Sequence, residues 1–209
     1  MKKHVWRIGF IIFVICVCVG IFISRYGKDD KDYTIYYKKY NDGVMTNKDI
    51  TYPQIEGLKN KEIESRVNAI LYEVAISTDV FENDDYQQLI NCEVIRADSN
   101  ILSVVYRGDT IHSISSYIYC ECYAVTIDMR LGEKMEFADF MDLEELENKY
   151  LREELIDVSG KGDEWLLQME FDNYMKELKH ESDFYVSNNA IGIIFQMAKD
   201  YMIYEINLE

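Results

Sequence analysis

The sequence predicts an α+β fold: an antiparallel sheet with about three helices packed on it, preceded by one N-terminal transmembrane helix. An uncharged apolar run opens the chain. Strand-like and helix-like stretches then follow in blocks of strands, one helix, strands, two helices and strands. Turn residues join several of those strands as hairpins.

The opening run is Ile8 to Ile23, 16 residues without a charge. As a helix it spans roughly 24 Å. The hydrocarbon core is about 30 Å thick, and Arg7 and Arg25 can snorkel to its two interfaces. Lys2, Lys3 and Arg7 favour a cytoplasmic N-terminus. The expected organisation is therefore an anchor or uncleaved signal over residues 1–25, a short linker over 26–32, and an extracytoplasmic domain over 33–209. A cleaved signal peptide would export the same domain. A lipoprotein fits less well, because Ile15 and Val17 precede Cys16 and Cys18 where small residues are wanted.

The 209 residues suit one domain plus an anchor, and 48% hydrophobic residues suffice for a packed core. Four cations and no acid lie in residues 1–25, so the net charge of −16 leaves −20 for the remainder. A domain so acidic repels nucleic acid and anionic lipid and attracts cationic proteins, peptides or metal ions. High charge also serves plain solubility.

Tyr33–Tyr40 reads as a strand ending at the turn Asn41-Asp42-Gly43. Val44–Ile55 is extended, with Pro53 suggesting an edge position. Asn60 is an N-cap, and Ile63, Val67, Ile70, Leu71 and Val74 form one apolar stripe, predicting a helix over about 61–77. Gln88–Arg96 and Ile101–Arg107 flank Asp98-Ser99-Asn100 as a hairpin. Ser116–Asp128 alternates, with Tyr117, Tyr119, Glu121, Tyr123, Val125 and Ile127 on one face and Ile118, Cys120, Cys122, Ala124 and Thr126 on the other. A short strand, Lys134–Phe137, follows. Asp142 with Glu145 resembles a capping box opening one helix, and Asp163 caps another with Leu167, Phe171, Tyr174, Met175 and Leu178 on one stripe. Asp183–Val186 and Ala190–Phe195 flank Asn188-Asn189, and Met202–Leu208 is the last strand.

Several stretches match a known family in order. Tyr52-Pro53-Gln54-Ile55, then Gly57-Leu58-Lys59-Asn60 and a helix with Asn68, resembles the opening of the deacetylase PdaC N-terminal-type domain. Leu102-Ser103-Val104-Val105-Tyr106, His112, Tyr123-x-x-x-Ile127-Asp128, Gly132-Glu133-Lys134 and Phe137-x-Asp139-Phe140 resemble its central passage. Phe184-Tyr185-Val186, Ile193-Ile194-Phe195 and Tyr204-Glu205-Ile206 are similar to the end of the paired RsiV C-terminal domain. The resemblance covers about residues 34–208 and rests on order and spacing more than on any one motif. It implies an exported domain of Gram-positive-type bacteria, found alone behind an anchor, fused to a polysaccharide deacetylase, or as the ectodomain of a lysozyme-sensing anti-sigma factor. The stand-alone anchored form is expected here, with about seven residues before the anchor and Glu209 at the end. Thr110-Ile111-His112-Ser113 departs from the family's Gly-Ala-His segment, and Met197–Met202 lacks the usual Pro or Gly.

His112, at the head of the long central strand, is the first candidate ligand contact, with Tyr117, Tyr119 and Glu121 on that strand beside it. It is a ligand or pH-sensitive group on one reading, and a histidine bonded within its loop on the other. His180-Glu181-x-Asp183 reads as dipole compensation in a last helical turn. Cys120 and Cys122 are about 7 Å apart on one strand face, too far to bridge each other. Either can pair with Cys92, Cys92–Cys120 being one such bridge, or all three remain buried free thiols. Arg107-Gly108-Asp109 reads as a turn after a strand. The acidic groups Glu82–Asp85 and Asp142–Glu147 lack calcium-loop spacing. No catalytic residue set, metal site or cofactor motif is found.

These features point to a membrane-anchored binding or sensing domain without chemistry of its own, engaging a cationic protein such as lysozyme or a cell-wall component. A cell-wall enzyme or accessory subunit acting through carboxylates is the alternative. Composition leaves the oligomeric state open.

Overall fold

The computed structural model describes residues 31–40, 47–77, 86–112, 114–161, 171, 184–197 and 199–208. The Ile8–Ile23 run, the Asn41-Asp42-Gly43 turn, Glu82–Asp85 and the His180 group lie outside them. So does the helix expected after Asp163, apart from Phe171, which is helical and buried. Among the described residues no helix is long and apolar enough to cross a membrane.

Asp32–Glu209 forms one unit. Its strands are β1 (Thr34–Tyr40), β2 (Asn47–Glu56), β3 (Tyr86–Ala97), β4 (Ile101–His112), β5 (Ile118–Asp128), β6 (Glu133–Lys134), β7 (Ile156–Asp157), β8 (Phe184–Val186), β9 (Ala190–Gln196) and β10 (Tyr201–Asn207). Helix α1 is Lys61–Ile76 and α2 is Leu143–Leu151, with a 3-10 turn at Phe137–Asp139.

The expected single antiparallel sheet is corrected to two sheets. One runs β1-β2-β3-β4-β5-β6 and the other β7-β10-β9-β8. The first is mixed, because β2 and β3 pair in parallel. Parallel neighbours need a long crossover, and α1 supplies it. The α+β class stands.

Alternation along the strands builds the layers. Leu102, Val104, Tyr106, Val125 and Ile127 meet Val67, Leu71, Val74 and Ala75 of α1. The opposite face sends Val105, Cys122 and Ala124 against Tyr185, Ile194 and Ile203 of the second sheet. The second sheet's outer face buries Ile191, Ile193, Phe195, Met202 and Ile206 beneath Leu146 of α2 and Phe171. β4 is thus covered on both sides, which explains its continuous apolar run of Val104-Val105-Tyr106.

The α1 start follows expectation. Asn60 accepts from the N–H groups of Glu62 and Ile63, and Glu64 turns back to accept from Leu58 N at 2.8 Å. Asp142 caps α2 by accepting from Glu145 N at 2.7 Å. The expected strand Lys134–Phe137 shrinks to Glu133–Lys134, because the chain turns into the 3-10 segment at Phe137.

Pro53 lies in β2, inside the sheet order. Parallel pairing with β3 covers only Asn47–Ile50, so β2 has left its neighbour before Pro53. Asn68 of α1 fills the gap: its amide accepts from Ile55 N at 2.8 Å and donates to Ile55 O at 2.9 Å. N–H groups two residues apart on a strand point the same way, so the proline's missing donor falls on that open edge. Gln196 of β9 does the same for β5, accepting from Cys122 N at 3.1 Å and donating to Cys120 O at 3.0 Å.

Arg107-Gly108-Asp109 is a mid-strand passage of β4 rather than a turn. A Cβ at Gly108 would meet Ile90 Cα at 2.8 Å and the Leu89 carbonyl closer still. Gly192 likewise lies beneath the Tyr185 ring.

Two expectations follow. Asn68→Ala should cost about 1–3 kcal/mol in urea unfolding, because it strands both polar groups of Ile55; an unchanged midpoint would remove Asn68 from this role. Gly108→Ala should cost at least about 3 kcal/mol, and Gly192→Ala about 1–3 kcal/mol, since a ring can shift and a backbone cannot. The reverse ranking would contradict the packing described.

Candidate functional site

The β4–β5 hairpin projects the candidate residues past the end of α1. Register sets them in rows. Ile90, Gly108 and Glu121 lie across β3, β4 and β5; next come Gln88, Thr110 and Tyr119; next Tyr86 and His112. His112 closes the hairpin by donating its N–H to Tyr117 O at 2.9 Å. Parity places all of these on the face that carries α1 further along. The structure therefore brings His112, Tyr119 and Glu121 to one end of one face, while Tyr117 lies just before β5 and meets Lys199.

His112 is satisfied locally. Its Nδ1 accepts from Ser115 N at 3.0 Å, and Ser115 Oγ lies 2.8 Å away. The ring meets Tyr86 edge-on, with centroids 4.6 Å apart. Of the two readings, the loop-bonded histidine describes its surroundings. Tyr117 is exposed, and Lys199 Nζ stands 4.6 Å from its ring centroid, a cation–π contact.

Glu121 is the chemically unusual member. Its side chain is 6% exposed. It accepts a hydrogen bond from Thr110 Oγ1 at Oε1, while buried Oε2 has no hydrogen-bond partner among the described residues. Burial raises its carboxyl above the ordinary glutamate range. Hydrogen bonds from Thr110 and Gln88 and the charge of Lys48 oppose that rise, and the charge of Asp109 adds to it. Gly108, which has no side chain, lies directly across the ladder from Glu121, with Ile90 beyond it on β3.

Sequence reasoning missed Gln88 and Thr110, both buried. Period-two parity with Ile90 and Tyr106 places them on the α1 face, but only the strand register shows that they meet Glu121.

Cys92 and Cys120 do not form a bridge. Cys92 faces α1 and Cys120 faces the other way, with β4 between their strands, and none of the three described cysteines is in a disulfide. Burial pushes the Cys92 thiol up to about 11, so it behaves as a small apolar group. Among the described residues no three His, Cys, Asp or Glu side chains gather as a metal set. A separate polar cleft of about 510 Å³ lies between α2 and the end of β10, lined by Asp142, Glu145, Asn148, Lys149 and Asn207 among others.

A carboxyl whose folded-state pKa is raised stabilises the fold at low pH, and that contribution is lost as pH rises through the folded value. Glu121→Gln should therefore flatten the loss of stability between the ordinary carboxylate range and neutrality, measured by urea unfolding against pH. An unchanged pH profile would mean that Glu121 titrates normally.

No family model matches the chain, and no curated protein does. Solved structures share its fold. A crystal structure of a DUF3298 family member from Bacteroides fragilis superposes with a TM-score of 0.53 at 9% identity, covering 87% of this chain and 92% of that one. A DUF3298 family protein from Pseudomonas aeruginosa gives 0.49 at 10% identity, over 87% and 93%. At such identity the likeness to the Bacteroides protein is one of fold: the two-sheet α+β domain is an architecture that it shares with this chain.

Proposed function

We propose that this chain is an extracytoplasmic binding domain held at the membrane by Ile8–Ile23, that it performs no chemistry of its own, and that its partner is a cationic protein. The observation that carries this reading is charge. Residues 26–209 hold a net −20, left after the four cations of the first 25 residues are removed from the chain's −16. A field of that sign draws basic proteins from solution and turns away nucleic acid, anionic polymers and anionic lipid.

The fold shared with a DUF3298 protein supports the reading, because DUF3298 is the domain type to which the PdaC-type and RsiV-type resemblance points. A lysozyme-like muramidase, small and basic, is the partner type proposed.

Calorimetry of the full chain in detergent micelles with lysozyme tests this. Binding is expected at about 0.01 M ionic strength, where the Debye length is about 30 Å, and should weaken at least about tenfold at 0.15 M, where it is about 8 Å. No heat at low salt would remove lysozyme as the partner. Salt-independent binding would remove charge as its cause.

A further inference from the structure

The hairpin has a second face. Odd-numbered residues of β3 before its bulge at Val94–Arg96, odd-numbered residues of β4 and even-numbered residues of β5 point away from α1, toward the second sheet. The second sheet's backbone reaches that face as far as Cys120, whose N–H donates to Lys199 O at 3.0 Å. Beyond Cys120 the face continues with Leu89 opposite Asp109 and Ile111 opposite Ile118. Leu89 is 39% exposed and Ile118 52%, and Ile114 in the adjoining loop is 77% exposed.

Asp109 sits among these apolar side chains, exposed to solvent. Other aspartates of the domain have cations: Asp49 with Lys39, Asp98 with Arg96, Asp128 with Arg130 and Asp200 with Lys161. Among the described residues no cationic group stands within ion-pair reach of Asp109, which faces Cys120 across the β4–β5 ladder. The chain enters the domain at the other end of this sheet, where Tyr33 donates to Asp98 O at 3.0 Å.

We infer that the face bearing Leu89, Asp109, Ile111 and Ile118 is a docking surface for a protein that presents a lysine or arginine among apolar side chains. The inference rests on the proposed reading of a cationic partner and narrows it to one end of one sheet. Apolar contact rewards coverage of the three aliphatic groups, but coverage strips water from Asp109. Only a partner that brings a cation offsets that loss. A bilayer surface offers hydrocarbon without a fixed cation, and a second copy of this acidic chain adds repulsion. Lys199, beside Tyr117, bounds the patch on the second-sheet side.

The test is photo-crosslinking in the full chain in its native membrane. A photoreactive amino acid replaces Ile118 and, as the control, Leu131, which is similarly exposed at 54%. The expected result is an adduct with a basic protein at position 118, absent at 131, and reduced at least about tenfold by Asp109→Lys, a loss of about 1.4 kcal/mol in affinity. The unfolding midpoint of that variant should be unchanged, and Asp109→Asn should give a smaller reduction. No adduct, equal adducts at both positions, an adduct with lipid or a second copy, or indifference to Asp109→Lys would each overturn the surface. If lysozyme fails in calorimetry while position 118 captures another basic protein in an Asp109-dependent way, the surface stands and lysozyme falls. If lysozyme binds with unchanged affinity to Asp109→Lys, the receptor reading stands and the surface falls.

Discussion

A strand that parts from its neighbour leaves backbone donors and acceptors facing an apolar layer, and this domain closes those edges with side chains. Asn68 completes Ile55 of β2, and Gln196 completes Cys120 and Cys122 of β5. Ser103 does the same for β8, accepting from Val186 N at 2.9 Å. Each closure is also a joint. Asn68 ties α1 to the first sheet, and Gln196 and Ser103 tie the two sheets together. Buried backbone groups must be paired, so the amide closures set where the layers can sit as firmly as the apolar contacts do.

The same economy appears across strands. Tyr185 of β8 lies over Gly192 of β9 and donates to Glu205 of β10 at 2.6 Å. Gly192 removes the side chain that would block this crossing, and a polar contact spans three strands. The layer between the sheets mixes small residues, Cys122 and Ala124, with Val105, Tyr185, Ile194 and Ile203.

Much of the local structure was legible. The α1 stripe, the Asn60 and Asp142 caps, the Asp98 turn and the two faces of β5 all follow from period and turn chemistry, and they appear as expected. What could not be read were relations between distant segments. Nothing local distinguishes a strand that pairs in parallel from one that does not, so β2 next to β3 was hidden, and with it the split into two sheets. Pro53 suggested an edge, and β2 has one, but only over the half that has left β3. Gly108 looked like a turn because its steric need lies in the Leu89 and Ile90 backbone, which the local sequence does not reveal. A Cys92–Cys120 bridge was open on the sequence because strand order and facing, unlike spacing, are not local properties.

The candidate site shows the same limit from another side. His112, Tyr119 and Glu121 share a face while Tyr117 lies before the strand against Lys199, and the polar floor, Gln88 and Thr110, comes from two other strand positions. The hairpin therefore presents two surfaces of opposite character. One is polar and closed in upon itself, with Glu121 held in a site that disfavours its charge. The other carries Leu89, Ile111 and Ile118 beside an exposed Asp109. A carboxyl held in a buried site stabilises a local arrangement only while it stays protonated, whereas an exposed carboxylate beside aliphatic groups loses hydration when those groups are covered. Association relieves the second condition and not the first, so of the two sides of the hairpin the one that points away from α1 is the better suited to a partner.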